Sequence, residues 1–421
     1  MQKYIYGIDF GTSNSALAIL DLETRECIKL FTIPSLLFFQ EPKAKGEFTQ
    51  VSVGQEAIDK YVENRMNGRF MKSIKKVLPN KSFIDTRIGN KMYRAEDLVS
   101  FILIYLKKSA DEFLGEDIKT AVVGRPVVFD ENPEKDTLAQ TRLEKAAKIA
   151  GFENIHFQLE PMGAAYTYER EIANNELVLV ADFGGGTSDF SLIKLKPEGL
   201  SLPNKNQEII GQGGIYIGGD NFDSDIMWHK GTPHFGRGVK EEFTPGKPLD
   251  LPLSYFQNIC SWDKMNFLDT LRMKISIEKS YQFSGKNHRV KNLQILISEN
   301  LGYSFFKEIE RAKIGLTKDE EVGLTFHSNG IDIVENISLE DFKNEIIKEN
   351  LSKIEGYLDQ FLKDKKVDCK DIDVVFMTGG TSMIKPLKAI FENKFGKEKL
   401  TSGDNFNSVA MGLAYSYLNL N

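Results

Sequence analysis

One segment of the sequence occurs twice. Residues 4–20 read YIYGIDFGTSNSALAIL and residues 177–193 read LVLVADFGGGTSDFSLI. Each is an apolar strand, an Asp-Phe-Gly, a turn of Gly, Thr and Ser, and a second apolar strand. Asp9 and Asp182 stand 173 residues apart. Such a repeat reads as a duplicated domain, with two similar halves meeting face to face. Strands and helices alternate around each copy. In the first half, Leu98, Ile102, Tyr105, Leu106 and Phe113 recur near the helical period over residues 96–114, with Gly115 as a stop. TAVVGRPVVF reads as a strand, residues 138–150 as a helix closed by Gly151, and IHFQLEP as a strand leading to Pro161 in the next helical turn. In the second half, Phe342, Ile346, Ile354, Tyr357, Leu358 and Phe361 mark a long amphipathic helix. The strand 372–377 then runs into GGTSMIKP and a last helix from about Pro386.

Two stretches interrupt this scheme. Residues 35–95 carry mixed charge and a short helix near Gln55–Asn64. In residues 224–335, Pro233, Pro245, Pro248 and Pro252 fall among several glycines, which predicts loops at first. The expected organisation is α/β, with two duplicated βββαβα-type lobes. Residues 1–34 and 96–176 form the core of the first, with 35–95 as its peripheral subdomain. Residues 177–223 and 336–421 form the core of the second, with 224–335 as its peripheral subdomain.

Composition supports a folded, non-membrane chain. It has 41% hydrophobic residues and 34 glycines, an ordinary globular balance. Its 54 Lys+Arg against 60 Asp+Glu give a net charge of −6, which offers no basic footprint for nucleic acid. The apolar run 99–106 is too short to span a bilayer. The start MQKYIYGIDFG has neither a charged n-region nor an apolar h-region, so no signal peptide is expected. Cys27, Cys260 and Cys369 form neither a disulfide framework nor a CxxC pair, which fits a reducing, cytoplasmic setting.

The chemistry gathers at the repeated turns. Gly11 lets backbone amides approach an anion, and Thr12, Ser13 and Asn14 add side-chain hydrogen-bonding groups. Asp9 ends an apolar strand, where a carboxylate needs a partner, and a hydrated metal ion is a natural one. Taken alone, this turn is equally a tight hairpin with an Asx-turn. The second turn favours the site. Gly184, Gly185 and Gly186 leave the backbone bare before Thr187, Asp182 repeats Asp9, and Asp189 adds a third carboxylate. Two such hairpins with opposed aspartates would clamp a polyphosphate and its magnesium. In VVFMTGGTSMI, Gly379 and Gly380 follow a strand and precede a helix, so amides at that helix N-terminus can face a phosphate or ribose. No GxxxxGK[ST] occurs, and no GxGxxG follows an early strand. His229 and His234, split by a Gly-Thr-Pro turn, read as loop residues rather than metal ligands.

GIDFGTSNS, EPMGAA, DFGGGTSDFSLI, GGDNFD, ERAKIGLT and VVFMTGGTSMI occur in the order and spacing of a known domain. The chain resembles, over nearly its whole length, the nucleotide-binding domain of the seventy-kilodalton heat-shock (DnaK-like) chaperones, in the actin-like ATPase superfamily. ERAKIGLT points to the chaperone branch, and the Trp- and Pro-rich stretch near 228–262 looks like the YegD-like subgroup. The resemblance implies an actin-like fold with a nucleotide cleft between the lobes, and ATP/ADP and Mg2+ as cofactors. It implies that Asp9, Asp182 and Asp189 face the magnesium mostly through water, and that Gly11, Thr12, Ser13, Asn14, Gly184, Gly185, Gly186, Thr187 and Gly219 hold phosphates. Lys75 of FMKSIKKVL looks like the catalytic lysine, with Lys72 and Lys76 as neighbours in the register. Glu160 looks like the carboxylate that positions the attacking water, while Asp182 and Thr187 would lie near the terminal phosphate. Glu310, Lys313 and Thr317 would line ribose and adenine. The family usually sets arginines against the base where this chain has Ile314 and Met383, so the base would meet apolar side chains beside Gly379 and Gly380.

The residue types agree with those roles. A lysine beside a terminal phosphate neutralises charge developing in phosphoryl transfer. Three lysines within five positions are otherwise a solvated face, Glu160 a helix-start charge, and Glu310 with Lys313 a surface ion pair. Pro126 and Arg142 resemble the proline and arginine that couple nucleotide state to a partner domain, although the loop between them, DENPEKDTLAQT, is longer than usual. The chain ends where the nucleotide domain would end, so no peptide-binding domain is expected.

The function expected is a magnesium-dependent, slow ATPase acting as a nucleotide switch. Its partners would be nucleotide and a client or co-chaperone protein, with no nucleic acid or membrane, as a monomer or weak homo-oligomer. An actin-like filament protein and a small-molecule kinase are the alternatives on this fold. The aromatic residues Trp228, Phe235, Phe243, Tyr255, Phe256 and Trp262 either pack a small core or dock a partner.

Overall fold

The structure is a computed structural model and describes residues 3–40, 49–64, 68–170, 172–197, 208–265, 268, 270–402 and 408–419. It divides into two compact units. Met1–Gly219, Ile354–Met383 and Leu387–Asn421 form one, and Asp220–Lys353 with Ile384–Pro386 form the other.

The first unit contains two five-stranded sheets. In one, Tyr4–Phe10 lies between Asn14–Asp21, its antiparallel hairpin partner, and Thr120–Arg125, a parallel neighbour. Glu26–Pro34 and Asn154–Leu159 are the edges. In the other, Glu176–Phe183 lies between Ser188–Leu195, antiparallel, and Val374–Thr378, parallel, with Glu208–Ile215 and Leu400–Ser402 as edges. The two sheets therefore share one strand order and one pattern of pairing. Each has a fifth strand beyond the βββαβα expectation. The central strands are apolar on both faces because both faces are covered, as parallel pairing requires.

Two helices fill the space between the sheets. Glu160–Glu169 follows the first sheet and Ser408–Ser416 nearly ends the chain. Ile5, Ala16, Ala18 and Val122 of the first sheet, Val178, Val180 and Ile193 of the second, and Met162, Ala164, Leu413 and Ala414 of the helices make one core. Small residues set the approach: a Cβ on Gly412 would overlap the Gly163 carbonyl. The sequence predicts the last helix from about Pro386, whereas the structure adds the helix Ser408–Ser416 after it. The outer face of the first sheet is covered by Ala95–Leu114 and Pro133–Ile149. The first of these ends at Gly115, whose φ of 71° closes it as expected.

The second unit is mainly helical. Its helices are Leu253–Ile259, Leu271–Phe283, His288–Ser298 and Gly302–Gly315, and on the last the Phe305 ring meets Phe235 and Phe326 edge-on at 5.3 and 5.1 Å. A hairpin pairs Glu321–Ser328 with Ile331–Ser338. Its turn, Asn329-Gly330, has both φ angles positive, the conformation a tight two-residue hairpin favours. The expected Pro-rich loops prove partly helical: Met227–Gly231 is a π-helical turn and Thr232–Phe235 a 3-10 turn. Pro233 sits where a helix start has no use for the missing amide hydrogen. Phe235, Tyr255 and Phe256 are buried, so these aromatics pack a core. Trp228 lies under the Arg237 guanidinium, 4.7 Å from it, and the side chain of Trp262 lies outside the described residues. Among the described residues, no helix is long and apolar enough to cross a membrane.

Candidate active site

The two repeated hairpins end side by side in the first unit. A Cβ built on Gly186 would lie 3.6 Å from Thr12 Oγ1, so the two turns face each other with nothing but backbone on one side. Each turn is held from outside. Ser35, fully buried, donates from Oγ to the Gly11 carbonyl at 2.8 Å and shares a 2.7 Å bond with Ser15 Oγ. The Ser35 amide donates to the Ser13 carbonyl at 2.8 Å. On the second turn, the Gly184 carbonyl accepts from Thr381 Oγ1 at 2.9 Å and from the Gly219 amide at 3.0 Å. Gly379 has φ +81°, and a Cβ there would stand 2.8 Å from Asp182 Oδ1 and overlap the Phe183 carbonyl. Gly380 opens a 3-10 turn, Gly380–Met383, and the α-helix starts only at Lys385. The expected helix N-terminus is thus a tighter turn whose Thr381 pins the glycine loop.

Asp9 and Asp182 end the central strands of the two sheets. In the first hairpin Asp9 faces Ala16, whereas in the second Asp182 faces Asp189 across the strand pair. Like charges so placed repel. Glu160 begins the central helix at Leu159-Glu160-Pro161, where the proline sits in the first turn. Lys75 lies on the 3-10 turn Ile74–Val77. Its Nζ donates to Glu160 Oε1 at 2.7 Å, with both side chains about nine-tenths buried. Thr187 Oγ1 donates to Asp189 Oδ2 at 2.8 Å. The structure therefore brings Asp9, Lys75, Glu160, Asp182, Thr187 and Asp189 together, and Lys75 is the lysine of its cluster bonded to Glu160.

Electrostatics shows what this group lacks. Asp9 and Asp182 keep part of their surface open, yet protein packs closely round them. Burial first, then Glu160, then Asp182 push the Asp9 carboxyl up to about 8, although Lys75 pulls it down. Burial, Glu160 and Asp189 push Asp182 up to about 7, and burial and Glu160 push Asp189 to about 7 despite the Thr187 hydroxyl. For Lys75, burial disfavours the charge, but Glu160 and Asp9 outweigh it and raise its pKa. Four carboxyl groups gather here against Lys75, with the Lys76 side chain reaching Gly186, so among the described residues negative charge is in excess. A hard, hydrated divalent cation fits that all-oxygen donor set. Among the described residues no three His, Cys, Asp or Glu are close enough to hold an ion directly, so the fit is to an ion held through its water.

Four of the residues expected around ribose and base belong to the second unit. Glu310, Lys313 and Ile314 lie on the Gly302–Gly315 helix of the second unit, and Thr317 follows it. Lys313 Nζ donates to Asp223 at 2.7 Å with both side chains buried, so this lysine is held inside its unit rather than on a solvated face. Ile314 and Met383 are both exposed.

The anchoring role of Ser35 escaped the sequence, as did the contacts of Arg142, which stood out there only by resemblance to a coupling arginine. Ser35, in the run LFTIPSLLFF, has no mark of a loop anchor. Arg142 is buried, and its guanidinium donates to four main-chain carbonyls: Val77, Leu78 and Asn80 from Nη1 at 3.1, 2.9 and 3.0 Å, and Phe83 from Nη2 at 2.7 Å. It clasps the segment that follows Lys75. The stretch DENPEKDTLAQT is not one long loop either: the helix begins at Pro133, with the Asn132 side chain accepting from the Glu134 and Lys135 amides.

Residues 5–233 and 288–417 match the family model described as Hsp70 protein. The chain belongs to the Hsp70 family. Curated relatives include chaperone proteins DnaK from Thermosipho melanesiensis, Thermotoga neapolitana and Thermosipho africanus, 28%, 25% and 26% identical. Each alignment covers 98% of this chain, against 59%, 59% and 58% of the relative. This Hsp70-family chain thus spans about three-fifths of the length of the curated relatives it matches. Residues 234–287 fall between the two matched blocks.

Proposed function

We propose that this chain binds ATP with magnesium and hydrolyses it slowly, as the nucleotide-driven switch of a chaperone-like system acting on a client or co-chaperone protein. The observation that carries the reading is the buried Lys75–Glu160 ion pair, set among Asp9, Asp182 and Asp189 where two glycine turns face each other. Magnesium, when bound, would neutralise phosphate charge from the carboxylate side. Gly11 to Asn14 and Gly184 to Thr187 would hold phosphate oxygens through amides and hydroxyls. Glu160 would orient a water by accepting its hydrogen bond. That water's oxygen would bond to the terminal phosphorus as the bond to the bridging oxygen breaks, leaving its electron pair on ADP. Lys75 would offset the charge that develops there.

Ile314 and Met383 in place of arginines, and residues 234–287 outside the family match, support a place in the YegD-like subgroup. The domain scheme of two sheet cores, each carrying a peripheral subdomain, is proposed with it, as is a cleft between the two cores. Calorimetry with ATP, with and without EDTA, tests the site. Binding should require magnesium, and equal affinity in both conditions would remove Asp9, Asp182 and Asp189 from the metal's surroundings.

A further inference from the structure

The helix Leu271–Phe283 lies within residues 234–287, the stretch outside the family match. It buries Ile277 and Ser280 against its own unit, and Tyr255 Oη bonds Ser276 Oγ at 2.7 Å on that side. Leu271 and Ile275, one turn apart, point the other way by helical geometry. They are 75% and 49% exposed. At the C-terminal end Phe283 packs on Phe243, ring centroids 4.4 Å apart, and both remain exposed. Single exposed apolar residues are ordinary, but here two share the outward face of one short helix, with the Phe243–Phe283 pair at its end.

The charge along the helix and the turn after it is mainly basic, although Asp269 precedes it in sequence and Glu242 lies against its C-terminal end. Between Thr270 and Lys291 the basic residues are Arg272, Lys274, Lys279, Lys286, Arg289 and Lys291, and the acidic residue is Glu278 alone. The whole chain carries −6. A positive apolar face selects partners that are acidic and apolar, and like charge opposes pairing of this face with itself in a second copy. A membrane fits less well. Burial in a headgroup layer needs a broad apolar face along the helix, whereas here Glu278 and Gln282 follow Leu271 and Ile275 on the same side.

We propose that the outward face of Leu271–Phe283 docks an acidic amphipathic segment of a partner protein, with Leu271 and Ile275 as apolar anchors and the flanking Arg and Lys side chains meeting its carboxylates. The proposal does not rest on the ATP reading. Fluorescence anisotropy with a labelled synthetic helical peptide, leucine at helical spacing and glutamate between, tests it on the full chain. The peptide should bind, weaken as salt rises, and lose at least tenfold in affinity in Leu271→Ser/Ile275→Ser. Arg272→Glu/Lys279→Glu should lose a similar factor, and both variants should keep the wild-type melting temperature and ATP binding. Four results overturn the proposal: no binding, equal binding of a leucine-free polyglutamate, equal binding of the lysine-for-glutamate peptide, or unchanged binding in both variants. Co-sedimentation of the wild type with phosphatidylserine vesicles, abolished by Leu271→Ser/Ile275→Ser, would assign the face to membrane instead. A concentration-dependent dimer lost in that variant would assign it to a second copy.

Discussion

Arg142→Ala is the most informative single substitution outside the charged cluster. The guanidinium clasps the carbonyls of Val77, Leu78, Asn80 and Phe83. Nη1 has two protons for three acceptors, so the four contacts amount to about three full bonds. Hydrogen bonds from a charged group contribute roughly 1.5–3 kcal/mol each, a gross loss of about 4.5–9 kcal/mol. Asn80 is exposed, so part of the freed backbone regains water. The net expectation is about 3–5 kcal/mol of lost stability. Arg142→Lys keeps one point charge without the fork and should lose about half as much. The 3-10 turn released by either change carries Lys75, and misplacing a reacting group by about 1 Å can cost on the order of 10²-fold in rate. Urea unfolding gives the stability, and single-turnover hydrolysis of ATP, on protein shown to be folded, gives the rate. The turnover rate should fall far more than nucleotide affinity, and added guanidinium at low concentration should restore part of it in Arg142→Ala. A folded Arg142→Ala that is less stable yet hydrolyses ATP at the wild-type rate would refute the link between this arginine and Lys75.

The raised carboxyls set a pH dependence. Asp9, Asp182 and Asp189 titrate near 7 to 8 in the folded chain against an ordinary 3.8, so the native state holds more protons than the unfolded chain between those values. Stability without nucleotide should therefore be greatest below that window and fall as pH rises through it. Melting curves across it should show this slope, and magnesium with ATP should flatten it. Ser35→Ala removes the bond to the Gly11 carbonyl and strands Ser15. It should lower stability by about 1–3 kcal/mol and weaken ATP binding measured by calorimetry, while Ser35→Thr should retain part of both.

Much of the site was legible because its residues cluster in short segments. Asp9 and Asp182 announce themselves as the same position in two copies of one hairpin, and Gly184 to Gly186 leave no doubt that backbone must be approached closely. Lys75 was harder, since Lys72, Lys75 and Lys76 share one short segment and only three-dimensional packing selects the one bonded to Glu160. Ser35 and Arg142 act through main-chain carbonyls distant in sequence, and such bonds leave no local pattern. The Ser408–Ser416 helix was missed because a helix buried between two sheets is apolar nearly all round and shows no amphipathic period. The Pro-rich stretch read as loop, yet Pro233 and Pro252 stand at helix starts, where proline is tolerated.

The central claim is that Lys75 and Glu160 serve phosphoryl transfer to water. Single-turnover hydrolysis of ATP labelled at the terminal phosphate, at saturating magnesium and nucleotide, measures it directly in wild type and Lys75→Ala. The site predicts a slow wild-type turnover that drops by on the order of 10²–10³ in Lys75→Ala while nucleotide still binds. An unchanged rate in Lys75→Ala, or a wild type that binds ATP and never cleaves it, would contradict the account.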